Sequence, residues 1–319
     1  MASSRDIILT AVAPAVWGST YLITTELLPP DHPVLMATLR ALPAGLLLLL
    51  IVRKLPPVAW IGRVAILGAL NFSIFWALLF VAAYRLPGGV AATVGAVQPL
   101  LVILLASLLL GRAVTGLSVG AAVLGALGVA LLVLGPDAAL NPMGIAAGLG
   151  GAVSMAAGTV LSRRWQPPVP PLTFAAWQLT AGGLLLLPVA LAAEPALPPL
   201  SAENLIGVGY LALVGGALTY LLWFRGVARL EPAAVSTLGF LSPLSAIVLG
   251  WSVLGESLDA VQIAGAVIVL ASVALGQLGG GGAVSVAGIL RVLALRTLPS
   301  RRMGRNSSSA KDRANVEPA

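Results

Sequence analysis

The chain has 319 residues, 59% of them hydrophobic and only 9% charged, and its mean hydropathy is +1.02. A soluble domain carries about 25% charged residues, so this composition excludes a protein whose whole surface faces water. The net charge is +7, cysteine is absent and histidine occurs once, at His32. These counts exclude disulfides, thiolate metal sites and histidine-based metal or catalytic clusters.

Ten stretches of about 20 mostly apolar residues, the length that a helix needs to cross a bilayer, follow one another along the chain. They show no alternation of apolar and polar residues, and open sheet edges cannot be satisfied in lipid, so strands are not expected. The first stretch follows Arg5 and is too long for the apolar core of a signal peptide, so we interpret it as a retained span. The predicted spans are residues 7–28, 33–52, 60–83, 90–110, 116–134, 143–161, 173–193, 205–226, 233–253 and 260–278.

Basic residues between the predicted spans fall almost entirely in every second loop. Ten spans place both termini on one side of the membrane, and with the N-terminus inside, only Arg85 faces outward. The positive-inside rule therefore predicts cytoplasmic N- and C-termini. Because this distribution and a basic tail, with seven of the 18 basic residues after residue 290, account for the net positive charge, we expect no nucleic-acid partner. The inward residues are Arg5, Arg53, Lys54, Arg63, Arg112, Arg163, Arg164, Arg225 and Arg229.

The last part of the chain, residues 279–319, differs from the rest in composition. A run of glycines precedes residues 283–298, which are apolar but contain Arg291 and Arg296. We interpret this segment as a short interfacial helix whose arginines reach anionic headgroups, with an eleventh span as the alternative. Residues 299–319 are polar and are expected to be disordered.

The chain repeats itself. Residues 33–46 align with 171–184 at an offset of 138, and residues 86–99 align with 230–243 at an offset of 144. Each unit contains five predicted spans, an odd number, so the second unit must run opposite to the first. The sequence therefore predicts an all-α integral membrane protein with ten transmembrane helices arranged as two inverted five-helix repeats. The predicted domains are residues 1–137, 138–278 and the 279–319 tail.

Arg40 is the most informative single residue, because it lies in the outer half of the second predicted span. An arginine at this depth is costly unless it faces water or a partner. It could hold an anionic group such as a substrate carboxylate, or it could be a structural arginine that pairs with helix-end carbonyls or extends to the interface. Glu26 is the nearest plausible acidic partner. No acidic residue lies in mid-span, which favours facilitated diffusion or weakly coupled exchange, although Glu26 could titrate.

Aromatic, amide and hydroxyl side chains inside the spans are the remaining candidates. Buried amides need partners, so they should face a cavity or a neighbouring helix, whereas the aromatic rings could serve packing alone. Pro99 and Pro243 are repeat mates, each preceded by a polar residue, which suits a matched kink or hinge. Together with Arg40, the candidate substrate-binding residues are Trp17, Thr20, Asn71, Trp76, Gln98, Trp177, Gln178, Tyr220 and Ser242.

Four motifs in order resemble the EamA family of the drug/metabolite transporter superfamily. They are WGSTYL at 17–22, the PxLxxxxLR pattern ending at Arg40, the related pair 86–99 and 230–243, and VLGESLDAVQIAGAVIVLASV at 253–273. The first half departs from the family's Gly-Glu pair, because Gly111 is followed by Arg112.

This resemblance implies a bacterial inner-membrane carrier. Spans 1–4 and 6–9 would surround a central cavity, to which Arg40 and Trp17 would contribute. Spans 5 and 10 would lie outside it, where a homodimer contact could form. Substrates across the family include amino acids, other small metabolites and drugs, often exported.

The leading hypothesis is a secondary transporter, an exporter or exchanger of amino acids or related amphipathic metabolites working by alternating access. The runners-up are a sugar or nucleotide-sugar carrier and a multidrug efflux carrier. A lipid-modifying enzyme would need a cluster of His, Asp, Glu or Cys near the interface, which the sequence lacks, so we expect no enzyme activity, no metal and no cofactor. A non-transporting sensor or scaffold is a further alternative. The expected partners are a small-molecule substrate and membrane lipid.

Overall fold

The structure, a computed structural model, describes residues 3–29, 32–85, 94–133, 141–195, 199–255 and 258–279, and the regular structure in these ranges is helical. Two π-helical turns, Ala69–Ser73 and Leu213–Leu218, join α3 to α4 and α9 to α10. The helices are α1 Ser4–Leu27, α2 Pro33–Val52, α3 Val58–Gly68, α4 Ile74–Arg85, α5 Gln98–Leu110, α6 Gly116–Val133, α7 Pro142–Arg164, α8 Pro171–Ala193, α9 Ala202–Ala212, α10 Thr219–Arg229, α11 Pro232–Leu238, α12 Leu241–Val253 and α13 Ala260–Gly279.

Most of these helices have the length and composition of membrane spans. In the described ranges, eight helical stretches are long and apolar enough to cross a bilayer, and two shorter apolar helices are Gln98–Leu110 and Gly116–Leu132. Leucine, isoleucine and valine side chains are exposed along many of them, as expected of surfaces that face lipid. The chain is therefore an all-helical membrane protein, as its composition predicts. The interfacial helix predicted at 283–298 and the disordered tail lie outside the described residues.

Short-range hydrogen bonds define several helix ends. Asn141 accepts the backbone N–H of Gly144 (3.0 Å) and so begins α7. Gly111 ends α5 with a φ of 65°, and Gly255 follows α12 with a φ of 71°. Both conformations favour glycine, which lacks the Cβ that clashes in the left-handed region. The two glycines are repeat mates in the sequence, so the two halves turn in the same way at these positions.

The interruptions inside the spans also come in equivalent places. The first π-helical turn begins at Ala69 and the second at Leu213, which is the repeat offset of 144 residues. Between α11 and α12 the helix breaks at Gly239 and Phe240, just ahead of Pro243, whose missing N–H cannot bond to the Gly239 carbonyl. Proline chemistry therefore accounts for the break, as the sequence suggests for a matched kink.

Helices α2 and α8 cross in close backbone contact. A Cβ added to Gly45 would lie 2.8 Å from the Cα of Thr180, and one added to Gly183 would lie 2.7 Å from the Cα of Leu42. Both pairs are repeat mates at the offset of 138, so the two halves make the same contact in exchanged roles. Only glycine allows two helices to approach this closely.

The other helix pairings follow the same pattern. Helix α1 packs on α10 and α12, whereas α7 packs on the corresponding α4 and α5 of the first half. Helices α6 and α13, the last spans of the two halves, pack on each other. Helices at equivalent positions of the repeated sequence therefore have equivalent neighbours, and the described helices pack as one compact bundle.

One end of the bundle, here called the arginine-rich face, carries most of the basic residues between spans. Asp6, at the start of α1, forms ion pairs with Arg225 (2.5 Å) and Arg229 (3.2 Å) at the end of α10. Arg112, after α5, pairs with Glu231 (3.2 Å) ahead of α11. Each of these ion pairs joins the first half of the chain to the second. The acidic partners of these arginines therefore hold the two halves of the chain together at this face.

At the opposite end of the bundle, the described residues form side-chain hydrogen bonds to helix ends and no ion pairs. The Glu194 carboxylate, after α8, accepts the backbone N–H groups of Val34 and Leu35 (2.8 Å for Leu35) in the first turn of α2. A negative charge at this place also complements the helix dipole. Asn204 of α9 donates to the carbonyl of Leu27 (3.0 Å) at the end of α1. Both contacts again join the two halves.

Candidate binding site

Arg40 lies half-buried between helices of both halves. Its Nη2 donates to the Gly215 carbonyl (2.8 Å), its Nη1 donates to Thr20 Oγ1 (3.4 Å), and its Cζ lies 5.3 Å from the centre of the Trp76 ring. Its Nε is buried with no hydrogen-bond partner among the described residues. No carboxylate in the described ranges pairs with Arg40, and Glu26 is exposed and forms no ion pair with it. A guanidinium with neutral partners and a spare N–H group is suited to receive an anion.

Aromatic side chains form a continuous cluster beside Arg40. The Tyr220 ring lies 5.0 Å from Trp17 and 4.7 Å from Phe72, and Phe72 lies 5.4 Å from Trp76. Trp223 extends the cluster at 5.1 Å from Trp17. These separations are typical of edge-to-face and tilted aromatic pairs. The cluster draws on α1, α4 and α10, so both halves of the chain contribute to it, and a cationic group adjoins a large apolar surface.

The second π-helical turn supplies the carbonyl that holds Arg40. A π-helical turn displaces carbonyls from the regular i to i−4 ladder, and such turns are frequent at functional sites. The Gly215 carbonyl accepts from Thr219 Oγ1 (2.7 Å) as well as from Arg40. Thr219 Oγ1 in turn accepts the indole N–H of Trp17 (2.9 Å). A hydrogen-bond chain thus fixes Trp17 and Arg40 relative to each other.

Replacing Thr219 by valine tests this chain of hydrogen bonds. The Trp17 indole N–H would lose its acceptor, and an unsatisfied buried donor costs about 1–3 kcal/mol. We therefore expect Thr219→Val to lower the thermal unfolding midpoint of the purified protein, whereas Thr219→Ser should retain it because serine keeps the hydroxyl. Equal unfolding midpoints for the valine and serine variants would contradict the bonding role of Thr219.

Asn71 and Gln178 form a second polar cluster. The Asn71 amide donates to Gln178 Oε1 (2.8 Å) and to Ser162 Oγ (3.1 Å), and Ser162 donates to Gln178 (3.2 Å). All three side chains are buried. Asn71 Oδ1 and Gln178 Nε2 have no partner among the described residues. The two amides therefore bond to each other across the two halves through one of the two polar atoms of each.

The two polar clusters occupy equivalent positions in the two halves. Arg40 and Gln178 are repeat mates at an offset of 138, and their partners Gly215 and Asn71 are repeat mates at 144. Each cluster thus joins the second span of one half to the π-helical turn of the other. Only the first carries a charge.

The remaining sequence candidates form no described hydrogen bond with Arg40. Trp177 donates to the Lys54 carbonyl (2.7 Å) and packs with Val64, Leu67 and Phe174 near the arginine-rich face. Gln98 begins α5, and its side chain forms no hydrogen bond with the described residues. The Ser242 carbonyl lies against Gly18 of α1, while its hydroxyl likewise forms no described hydrogen bond. The structure therefore groups Trp17, Thr20, Arg40, Trp76 and Tyr220 at one site and Asn71 and Gln178 at another. Trp177, Gln98 and Ser242 form no described side-chain hydrogen bond or ring contact with either group.

Sequence reasoning missed the main-chain contribution of Gly215 and the bridging role of Thr219. The adjacent glycines 215 and 216 in the middle of a span are a signal for irregular backbone, but nothing local marks their partner 175 residues away. Within the described residues, no group of three His, Cys, Asp or Glu side chains could hold a metal ion. The arrangement is suited to bind a small solute through one cation and a set of rings.

Comparison with known proteins gives a consistent result. The model of the EamA-like transporter family matches residues 5–134 and 142–276. Protein PecM of Dickeya dadantii is 47% identical over 267 residues, which cover 83% of this chain and 90% of the relative. The uncharacterized inner membrane transporter YedA of Escherichia coli K12 is 32% identical over 83% of this chain and 88% of the relative. A probable amino-acid metabolite efflux pump of Salmonella typhimurium is 25% identical over 87% and 96%.

A solved crystal structure superposes on this chain with a TM-score of 0.74. It is 20% identical and covers 87% of this chain and 99% of that chain. At this identity the similarity concerns the fold alone.

Proposed function

Because the chain belongs to the EamA-like transporter family, we propose that it exports or exchanges small amphipathic metabolites across a bacterial inner membrane. Membership and relatives make it a multi-pass membrane transporter of small metabolites, in a family of transporters and not of enzymes. The finer parts of the proposal are the solute class, the site and the mechanism.

The observation that carries the proposal is the position of Arg40 beside the aromatic cluster. A solute carboxylate would bind the guanidinium, and an apolar part would contact Trp17, Trp76 and Tyr220. Amino acids and related metabolites have both features. The Salmonella relative, a probable amino-acid metabolite efflux pump, would handle solutes of this class.

Alternating access between two inverted five-helix repeats is the proposed mechanism. Its support is the equivalence of contacts, namely the glycine crossing of α2 and α8, the paired π-helical turns and the exchanged roles of Arg40 and Gln178. In such transporters the site lies where the repeats meet, and one repeat rocks against the other. Arg40 lies at such a junction.

The proposed topology has both termini in the cytoplasm, so the arginine-rich face would be cytoplasmic. Helices α6 and α13 pack together away from the Arg40 site, which leaves their outer surfaces for lipid or for the homodimer contact that the family resemblance suggests.

Two alternatives in the same superfamily remain open to test. A nucleotide sugar carries several negative charges, and the described site offers only one cation, so this solute is less well matched. A multidrug carrier would use the aromatic cluster without needing Arg40. The dependence of transport on Arg40 separates these alternatives from the proposed one.

Counterflow in proteoliposomes tests the proposal. The purified full-length chain would be preloaded with an unlabelled solute, and uptake of labelled amino acids, related carboxylates, a sugar and a cationic drug would be followed. We expect exchange of amphipathic carboxylates only. Exchange of the sugar or the drug alone would contradict the proposed solute class, and absence of all exchange by folded protein would contradict the function.

The Asp6 ion pairs give a separate prediction about access. The Asp6→Asn substitution would remove these ion pairs and should loosen the contact of α1 with α10. A change of about 1 kcal/mol in the free-energy difference between two conformations alters their population ratio roughly fivefold. Because the chain has no cysteine, Ser242→Cys provides a single thiol, whose labelling from the arginine-rich side should be about fivefold faster in the Asp6→Asn background. Asp259→Asn is the control, since that carboxylate bonds within its own helical turn. An unchanged labelling rate in the Asp6→Asn background would contradict a role for the Asp6 ion pairs in keeping this side of the bundle closed.

A further inference from the structure

The Arg40 site carries an unbalanced positive charge. The guanidinium is permanently protonated, and its described partners are a carbonyl, a hydroxyl and an indole ring, all of them neutral. A charge in a membrane-embedded site is costly until an opposite charge arrives. The charge of the solute is therefore a property that this site should discriminate strongly.

No acidic residue that the structure describes pairs with Arg40. The sequence contains 11 Asp and Glu residues, and none lies in the interior of a span. Three are engaged at the ends of the bundle, where Asp6 and Glu231 pair with arginines and Glu194 caps α2. Of the others, Glu26, Glu203 and Asp259 lie at helix ends. Asp31, Asp137, Glu256, Asp312 and Glu317 lie outside the described residues.

Several neutral acceptors at the site already have donors. An α-ammonium group without a carboxylate partner needs carbonyl oxygens or aromatic faces. The Gly215 carbonyl already accepts from Arg40 and Thr219, and Thr219 Oγ1 accepts from Trp17. The Trp76 ring is stacked on Arg40 itself, and Trp17 and Phe72 pack on Tyr220. An ammonium group would displace one of these contacts.

We infer that the Arg40 site selects monoanionic carboxylates that lack a free amine, such as oxo acids, arylalkanoic acids or N-acylated amino acids, over zwitterionic amino acids. This inference rests on the proposed function and narrows its solute class. A monoanion neutralises Arg40 when it binds, whereas a zwitterion leaves the site with its net positive charge and adds an ammonium group for which the described residues of the site supply no carboxylate.

Solutes that share one apolar body and differ in charge test this inference. Labelled 3-phenylpropionate, phenylalanine and phenethylamine would be compared in counterflow with the full-length protein, together with 4-methyl-2-oxopentanoate and leucine as an aliphatic pair. Protein-free liposomes correct for passive entry of the acids. We expect each amine-free acid to exchange at least about tenfold faster than its zwitterionic counterpart, and phenethylamine not to exchange.

The outcomes separate this inference from the function on which it rests. Exchange of phenylalanine and leucine as fast as, or faster than, the amine-free acids would overturn the inference and leave a transporter of amino acids. Absence of exchange for every member, by protein with a cooperative thermal unfolding transition, would overturn the proposed function together with the inference.

Substitutions at two residues test whether the charge at the Arg40 site causes the preference for anions. Thr20→Asp would introduce a carboxylate where the hydroxyl now lies 3.4 Å from Arg40, and should abolish the preference for anions, whereas Thr20→Asn should retain it. Arg40→Lys keeps the positive charge and should keep the order anion over zwitterion, even at a lower rate. A preference for anions that survives in Thr20→Asp would contradict charge balance as its cause. Ligand-induced thermal stabilisation of the detergent-solubilised variants gives the same comparison without transport.

Discussion

Replacement of Arg40 by alanine is expected to abolish exchange of carboxylate solutes while leaving the protein folded. The guanidinium offers the only described cation at the aromatic cluster, and loss of one member of a buried, hydrogen-bonded charge pair costs about 2–5 kcal/mol. At about 1.4 kcal/mol per tenfold change, the half-saturation concentration should rise at least about thirtyfold. Counterflow at several solute concentrations measures this change.

Arg85→Ala is the matched control for Arg40. Arg85 is an exposed arginine at the end of α4, so its loss removes the same charge without touching the cluster, and transport should be retained. The thermal unfolding midpoint of each variant shows whether it is folded. Wild-type exchange by Arg40→Ala would remove Arg40 from the binding site and favour a solute without a carboxylate.

Introduction of leucine at Gly183 is expected to prevent correct packing of the bundle. A Cβ at this position would already lie 2.7 Å from the Leu42 Cα, so α2 and α8 would have to separate along their crossing. Overpacking costs about 1–3 kcal/mol where side chains can adjust, and this contact is with backbone, so about 3 kcal/mol or more is expected. Size-exclusion chromatography and thermal unfolding of the solubilised protein measure the loss.

Gly209 and Gly45 complete that experiment. A Cβ at Gly209 would meet nothing within 4 Å, so Gly209→Leu should leave the protein monodisperse. Gly45 contacts Thr180 as Gly183 contacts Leu42, so Gly45→Leu should be as damaging as Gly183→Leu. A protein that tolerates Gly45→Leu but not Gly183→Leu, or the reverse, would contradict the equivalence of the two halves at the crossing.

The helices of this fold could be predicted because hydropathy and length are local properties. The predicted stretches 33–52 and 173–193 agree closely with Pro33–Val52 and Pro171–Ala193. The repeat offset of 144 aligns Gly111 with Gly255, and both have a positive φ in the structure. The π-helical turns could not be predicted, because they depend on which carbonyls find side-chain partners in other helices.

Side-chain partners in space were harder to predict than helices. Trp177 and Gln178 are adjacent, and adjacent residues on a helix point about 100° apart, so both could not face the same site. The structure resolves the choice by directing Trp177 toward the Lys54 carbonyl and Gln178 toward Asn71. Arg40, in contrast, could be recognised because charge in the middle of a span has few explanations.

Arg40, whose guanidinium is held by the Gly215 carbonyl of the second π-helical turn, has a consequence for energy coupling. Under the proposed function, a carrier loaded with a monoanion would reorient as an electrically neutral unit, whereas the empty carrier would move the Arg40 charge through part of the membrane field. Moving one full charge across 100 mV is worth about 2.3 kcal/mol, so the empty step would be slow and sensitive to voltage. Strict one-for-one exchange would then arise from electrostatics, without a coupling proton or sodium ion.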